Sequence, residues 1–183
     1  MAMRGIYLVG FSGTGKSTVA QLVGAQLGWS AYDLDGMITE QSGLSVPALF
    51  EREGEAGFRA RETAALRSLA GAAPFVLATG GGAVIAAENR QLMAANGWLV
   101  ALEARPELLL ARMQRQLALA TPDAARPLLS TDDPLERIRV LKAARQPFYD
   151  LADWTLHTDL LSPQQVADEI VRAFGLLNDP PRS

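Results

Sequence analysis

A run of eight residues, Gly10-Phe-Ser-Gly-Thr-Gly15-Lys16-Ser17, sets glycines, a lysine and a hydroxyl at the spacing G-x-x-x-x-G-K-[ST]. Glycines there let the backbone curl until successive N–H groups face one concavity, which forms a seat for phosphate. Gly13, Thr14, Gly15, Lys16, Ser17 and Thr18 are therefore the expected nucleotide-binding residues. Lys16 is expected to act on the β- and γ-phosphates, and Ser17 to ligate Mg²⁺. Two carboxylates follow. Asp33 and Asp35 flank Leu34, so on an extended chain their side chains leave on the same side. One is expected to hold the metal through its water shell, the other to accept a proton from an attacking hydroxyl.

Further along, Gly80-Gly81-Gly82 offers backbone N–H groups that a ligand can approach without a side chain in the way. Arg59 and Arg145 stand beside Phe58 and Pro147-Phe148, and arginine suits planar, two-pronged recognition of a carboxylate or phosphate. Arg126 precedes Pro127-Leu128-Leu129 in a stretch of small residues, a natural place for a charge that closes over phosphate during transfer. The single histidine, His157, reads as packing in a terminal strand, so any base here is a carboxylate. Trp29, Trp98 and Trp154 read as core rather than as stacking platforms for nucleic acid.

These groups must be carried by regular elements. Ile6-Tyr-Leu-Val9 is a short apolar run of the kind that forms a buried strand, and Val19, Leu22, Val23, Gln26 and Leu27 recur at helical spacing behind the loop. Further strands are expected over 29–33, 75–78, 98–102 and 154–157. Helices are expected over 36–42, 45–53, 54–70, 88–95, 106–117, 135–148 and 163–176, with Pro47 and Pro106 at helix starts. Residues 118–130, with two prolines and many small side chains, read as a mobile loop. Alternating strands and helices imply a doubly wound parallel sheet, with the ligand beyond the carboxyl ends of its strands.

The 183 residues are enough for one α/β domain. Seventeen basic side chains face twenty acidic ones, and only two are lysines, so there is no basic block of the kind that tracks nucleic acid. No cysteine is present, which removes disulfides, thiolate nucleophiles and cysteine-held zinc together. The first residues do not read as a secretory leader, and no stretch approaches the ~20 apolar residues that span a bilayer. A cytoplasmic location is the expectation.

Over about residues 4–172 the chain resembles the shikimate kinase family. The pieces that carry the resemblance are the phosphate loop, Asp33-Leu-Asp35, Gly54-Glu-Ala-Gly-Phe-Arg59 with Glu62, Gly80-Gly-Gly82, Arg126-Pro-Leu-Leu and Ala144-Arg145-Gln-Pro-Phe-Tyr149. The resemblance implies a P-loop, nucleoside-monophosphate-kinase-like fold: a five-stranded parallel sheet with helices on both faces and a mobile lid. It implies a single kinase domain over 1–176, a substrate subdomain at about 35–62, a lid at about 115–130 and a tail over 177–183. The implied activity is Mg²⁺-dependent transfer of the ATP γ-phosphate to the 3-hydroxyl of shikimate, on the route to aromatic amino acids, by a monomer with no nucleic-acid or membrane partner. Lys16, Asp35 and Arg126 are then catalytic, with Arg126 also on the nucleotide. Asp35, Arg59, Gly80, Gly81, Gly82 and Arg145 hold the acceptor, Phe50 and Phe58 wall its pocket, and Ser17 with Asp33 (through water) serves the metal. Either Arg112 or Arg115 stacks on adenine. The alternatives are another small-molecule P-loop kinase, such as a gluconate kinase, and a ligand-sensing module without turnover.

Overall fold

Ile6-Tyr-Leu-Val9 is apolar at every position because both of its faces are covered. In the computed structural model, which describes residues 5–69, 71–72, 74–119 and 128–178, it lies in the strand β1 (Gly5–Val9). Four more strands, β2 (Ser30–Asp33), β3 (Phe75–Ala78), β4 (Gly97–Glu103) and β5 (Trp154–His157), complete a parallel sheet in the order β2-β3-β1-β4-β5. Successive side chains alternate between two cores. Tyr7, Val9, Phe75, Leu77, Leu99 and Ala101 face α2 (Leu34–Ser42), α3 (Val46–Ser68), α4 (Ala87–Asn96), α5 (Pro106–Ala118) and α6 (Pro134–Tyr149). Ile6, Leu8, Val76, Ala78, Val100 and Leu102 face α1 (Lys16–Leu27) and α7 (Pro163–Asn178).

Local chemistry starts the helices where the sheet needs them. Asp33 ends β2 and caps α2, its Oδ1 accepting from the Gly36 N–H at 3.1 Å. Ser45 caps α3 and Asp133 caps α6 in the same way, while proline opens α3, α5 and α6 where a missing N–H is harmless. The cap at Asp33 corrects one expectation. The chain is no longer extended after Asp33, so Asp35 lies in the first turn of α2, and the two carboxylates are brought together by a strand-to-helix corner.

The expected break between helices 45–53 and 54–70 falls at Gly54, inside α3, where φ is 68° and only glycine sits without strain. Two contacts bridge the kink. Phe50 stacks on Phe58 with ring centroids 4.6 Å apart, and Arg61 makes a two-pronged ion pair with Glu53 at 2.6 and 2.8 Å.

α5 runs to Ala118, so the first residues of the expected lid are helical, and 128–130 form a turn; Arg126 and the rest of that segment lie outside the described residues. α7 continues to Asn178, past its expected end at 176, and residues 179–183 also lie outside them. Trp98 is buried, with Trp29 and Trp154 packed against the same core, whereas His157 is exposed on β5 rather than packed. Among the described residues no helix is long and apolar enough to cross a membrane.

Candidate active site

Beyond the carboxyl end of β1 the chain turns through the glycine loop into α1. Gly13 and Gly15 take φ of 84° and 94°, a region that L side chains avoid, and this brings the loop's N–H groups round to one side. Thr14 is buried and its Oγ1 donates to the Phe11 carbonyl at 2.9 Å, which fixes the curl. Lys16, 8% exposed, lies across the loop with Nζ donating to the carbonyls of Gly10 and Phe11, each at 2.8 Å. Burial pulls its pKa down to about 8, against the opposing pull of Asp35 and then Asp33. Ser17 donates to Asp33 Oδ2 at 2.5 Å, so the hydroxyl that opens α1 and the carboxylate that closes β2 meet at one point.

A cleft of about 220 Å³ runs from this loop past Asp33, Asp35 and Thr79 to Gly80 and Gly81. A second cavity, of about 280 Å³, adjoins it along Gly13, Gly15, Thr18 and Gln116 and is walled by Arg112, Arg115, Thr158, Leu161 and Pro163. Arg112 donates to the hydroxyl and the carbonyl of Thr158, at 2.9 and 2.8 Å, which pins α5 to the end of β5. One long ligand with a phosphate chain at its centre fits this layout.

At the other end of the cleft, charge is concentrated around the triple glycine. A methyl group at Gly80 would come within 2.8 Å of Asp35 Oδ1 and 3.1 Å of Glu62 Oε1. One at Gly81 would lie 3.5 Å from Arg145 Nη1, and one at Gly82 would lie 2.8 Å from Arg59 Cζ. The glycines thus make room for side chains of this chain as well as for a ligand, which is more than access to backbone N–H groups. Arg59 is held by Glu62 at 2.7 Å and Glu55 at 3.2 Å, and it lies over the Phe58 ring. Arg145 lies 5.6 Å from the centre of the Phe11 ring. Phe58 is buried in the first core cluster, and Phe50 covers it half-exposed.

Three buried polar atoms here have no hydrogen-bond partner: Asp35 Oδ1, Glu62 Oε1 and Arg59 Nε. Leaving such atoms unpaired is costly, so their clustering marks a place where a polar ligand completes the network. Burial, and next the Asp33 charge, raise the Asp35 carboxyl above its usual range, while Lys16 and Arg59 oppose the shift. Burial raises Glu62 as well, and there the Arg59 guanidinium opposes it. Asp35 is thus a better proton acceptor than an ordinary aspartate.

The fold brings together the loop residues, Asp33, Asp35, Arg59, Gly80, Gly81, Gly82 and Arg145, drawn from five separate stretches of chain. Thr79, Gln116 and Tyr149 have no role assignable from the sequence alone, and neither does Glu62, although it belongs to a recognisable motif. Glu62 stands three residues after Arg59 and Tyr149 four after Arg145. Helical spacing already pointed to both.

A parallel sheet in this order, with a phosphate loop after β1 and a carboxylate pair beside it, defines a P-loop kinase of the nucleoside-monophosphate-kinase-like class. The comparisons narrow the class. The shikimate kinase family profile matches residues 12–174, and the chain belongs to that family. It is 41% identical over 172 residues to the shikimate kinase of Methylococcus capsulatus, covering 93% of this chain and 92% of that one. It is 43% identical over 167 residues to the shikimate kinase of Geobacter sulfurreducens, covering 91% and 88%. The structure of shikimate kinase from Acinetobacter baumannii in complex with shikimate superposes with a TM-score of 0.87 at 36% identity, covering 98% of this chain and 97% of that one. The gluconate-kinase and sensor alternatives are not favoured.

Proposed function

We propose that this chain transfers the γ-phosphoryl group of ATP to the 3-hydroxyl of shikimate, acting as a single chain. The observation that carries the reading is the convergence of Asp35, Glu62, Arg59 and Arg145 on three glycines at the end of the phosphate-loop cleft. A small ring bearing several hydroxyls and one carboxylate needs acceptors at one end and planar cations at the other, and these four side chains supply both.

In this reading the loop N–H groups and the α1 N-terminus hold the phosphates, and Lys16 swings from its carbonyl partners onto the transferring group. The base of the nucleotide occupies the second cavity. There Arg115 is the arginine available to stack, because Arg112 is engaged by Thr158. Asp35 lies next to the acceptor hydroxyl and takes its proton as the bond to phosphorus forms. Arg59 and Arg145 hold the acceptor carboxylate and fix the ring so that one hydroxyl faces the phosphate. Phe50 and Phe58 back this pocket. Arg126 is proposed to close over the phosphates; Leu128 and Leu129, just after it in sequence, pack on the core.

The residues present also fit Mg²⁺. Ser17 Oγ and the Asp33 carboxylate are hard oxygen ligands at one point of the cleft. Among the described residues no group of three or more acidic or histidine side chains forms a cage, as suits an ion held by one carboxylate, water and phosphate. Bound there, the ion would neutralise phosphate charge as it develops.

Steady-state kinetics of Arg59→Ala and Arg145→Ala test the reading. Each should raise the shikimate KM by about a hundredfold, the consequence of leaving a desolvated carboxylate short of one partner, and should leave the ATP KM nearly unchanged. Equal losses for both substrates would show general damage and count against the reading.

A further inference from the structure

One buried polar group beside the triple glycine has no part in the reading above, the phenol of Tyr149. Its ring is 1% exposed, and its hydroxyl donates to the Gly81 carbonyl at 2.5 Å. Burial pushes the phenol up to about 12, so it remains a proton donor throughout the working pH range.

The bond completes a set. Gly80 O accepts from the Ala83 N–H at 3.1 Å, and Gly82 O accepts from the Ile85 N–H at 3.0 Å. Gly81 O, between them, is held by Tyr149. The peptide plane is rigid, so fixing the Gly81 carbonyl also fixes the direction of the Gly82 N–H on its far side. A glycine peptide has no side chain to restrict it and loses most from the absence of such a tether.

Tyr149 and Arg145 stand four residues apart on one face of α6. The Arg145 guanidinium is near enough to oppose the upward shift of the phenol, and its Nη1 lies 3.5 Å from where a methyl group on Gly81 would sit. α6 has an independent anchor one turn earlier. Lys142 pairs with the buried Glu103 at 2.5 Å, and Gln146 donates to the same carboxylate at 3.1 Å. The helix therefore does not depend on the phenol for its seat on β4.

We infer that Tyr149 is a positioning residue for the acceptor: its hydroxyl sets the Gly81–Gly82 peptide and its spacing from Arg145, and so shapes the seat of the acceptor carboxylate. The inference rests on the reading that Arg145 and the glycine turn hold that carboxylate.

Tyr149→Phe removes one oxygen and keeps the ring. Loss of this hydrogen bond should raise the shikimate KM about tenfold. The ATP KM should hold within about twofold and kcat within about threefold, a split that marks lost ground-state binding. An unchanged shikimate KM, or shikimate and ATP KM rising together, would overturn the inference. Arg145→Ala, measured in parallel, separates the two levels. If it leaves the shikimate KM unmoved, the acceptor reading itself fails. If it raises that KM and Tyr149→Phe does not, only the inference about Tyr149 fails.

Discussion

Lys16 holds a buried charge against two carbonyls, and the strain of that burial is readable as a pKa near 8. A cation whose pKa is lowered becomes neutral at lower pH than a free lysine does. The free enzyme should therefore lose its grip on phosphate on an alkaline limb. kcat/KM for ATP should fall close to tenfold per unit above about pH 8, while kcat, measured with phosphate bound, bends at higher pH. A flat kcat/KM profile up to pH 10 would contradict this placement of Lys16. Asp35 has the opposite shift and a different consequence. Its folded-state pKa lies above the unfolded value, so its contribution to stability is fully present at low pH and is lost as pH rises through the folded value. Above that folded-state value the fold carries a desolvated carboxylate. Asp35→Asn should melt at a higher temperature than the wild type near pH 7.5, by a margin that shrinks toward about pH 4. It should also lose about 10²–10⁴ in kcat. A variant that is both less stable at neutral pH and nearly as active would remove the proton-acceptor role from this residue.

At the scale of elements, the triple glycine separates steric from backbone effects. Gly82 has a φ of −102°, which alanine adopts freely, so Gly82→Ala adds only a methyl group in the space of Arg59. Overpacking of this kind costs about 1–3 kcal/mol, borne by the guanidinium that must move. The shikimate KM should rise by about five- to a hundredfold with the ATP KM unchanged, and a KM for shikimate equal to wild type would contradict the packing described. Strands β1, β3 and β4 were legible in the sequence to within a residue or so, because runs such as Phe75-Val-Leu-Ala78 are apolar on both faces and bounded by glycine or proline, and β2 and β5 also fall within a residue of their expected bounds. The break in α3 was legible for a similar reason, since Gly54 interrupts an otherwise helical pattern. The corner at Asp33 was not. Period-two alternation holds only while the chain stays extended, and the capping bond that ends β2 left no decisive mark in the sequence. Nor did the local sequence tell what the glycines make room for, because Asp35, Glu62, Arg59 and Arg145 reach them from α2, α3 and α6. Helical spacing put Tyr149 beside Arg145, but its bond to the glycine turn was not legible, because that partner lies 68 residues away.

Taken whole, the molecule is a twofold-covered sheet whose carboxyl edge gathers groups that are far apart in sequence. β1 leads into the phosphate loop, β2 into Asp33 and Asp35, and β3 into the glycines, while α3 and α6 bring one arginine each from the same covering layer. The two cavities proposed for acceptor and nucleotide share the loop and Gln116 but are otherwise lined by different residues, which is why single substitutions are expected to separate the two KM values. In the proposed reaction, phosphate passes from ATP to an acceptor held by its carboxylate. The most direct test is the initial rate of ADP release by the wild-type protein with Mg²⁺ and ATP, measured with shikimate, with its carboxyl-reduced alcohol, and with neither. Release should be rapid and stoichiometric with shikimate and little above background without an acceptor, and kcat/KM for the alcohol should be lower by about a hundredfold or more. An alcohol phosphorylated as well as shikimate, or ADP release indifferent to shikimate, would contradict the proposed reaction.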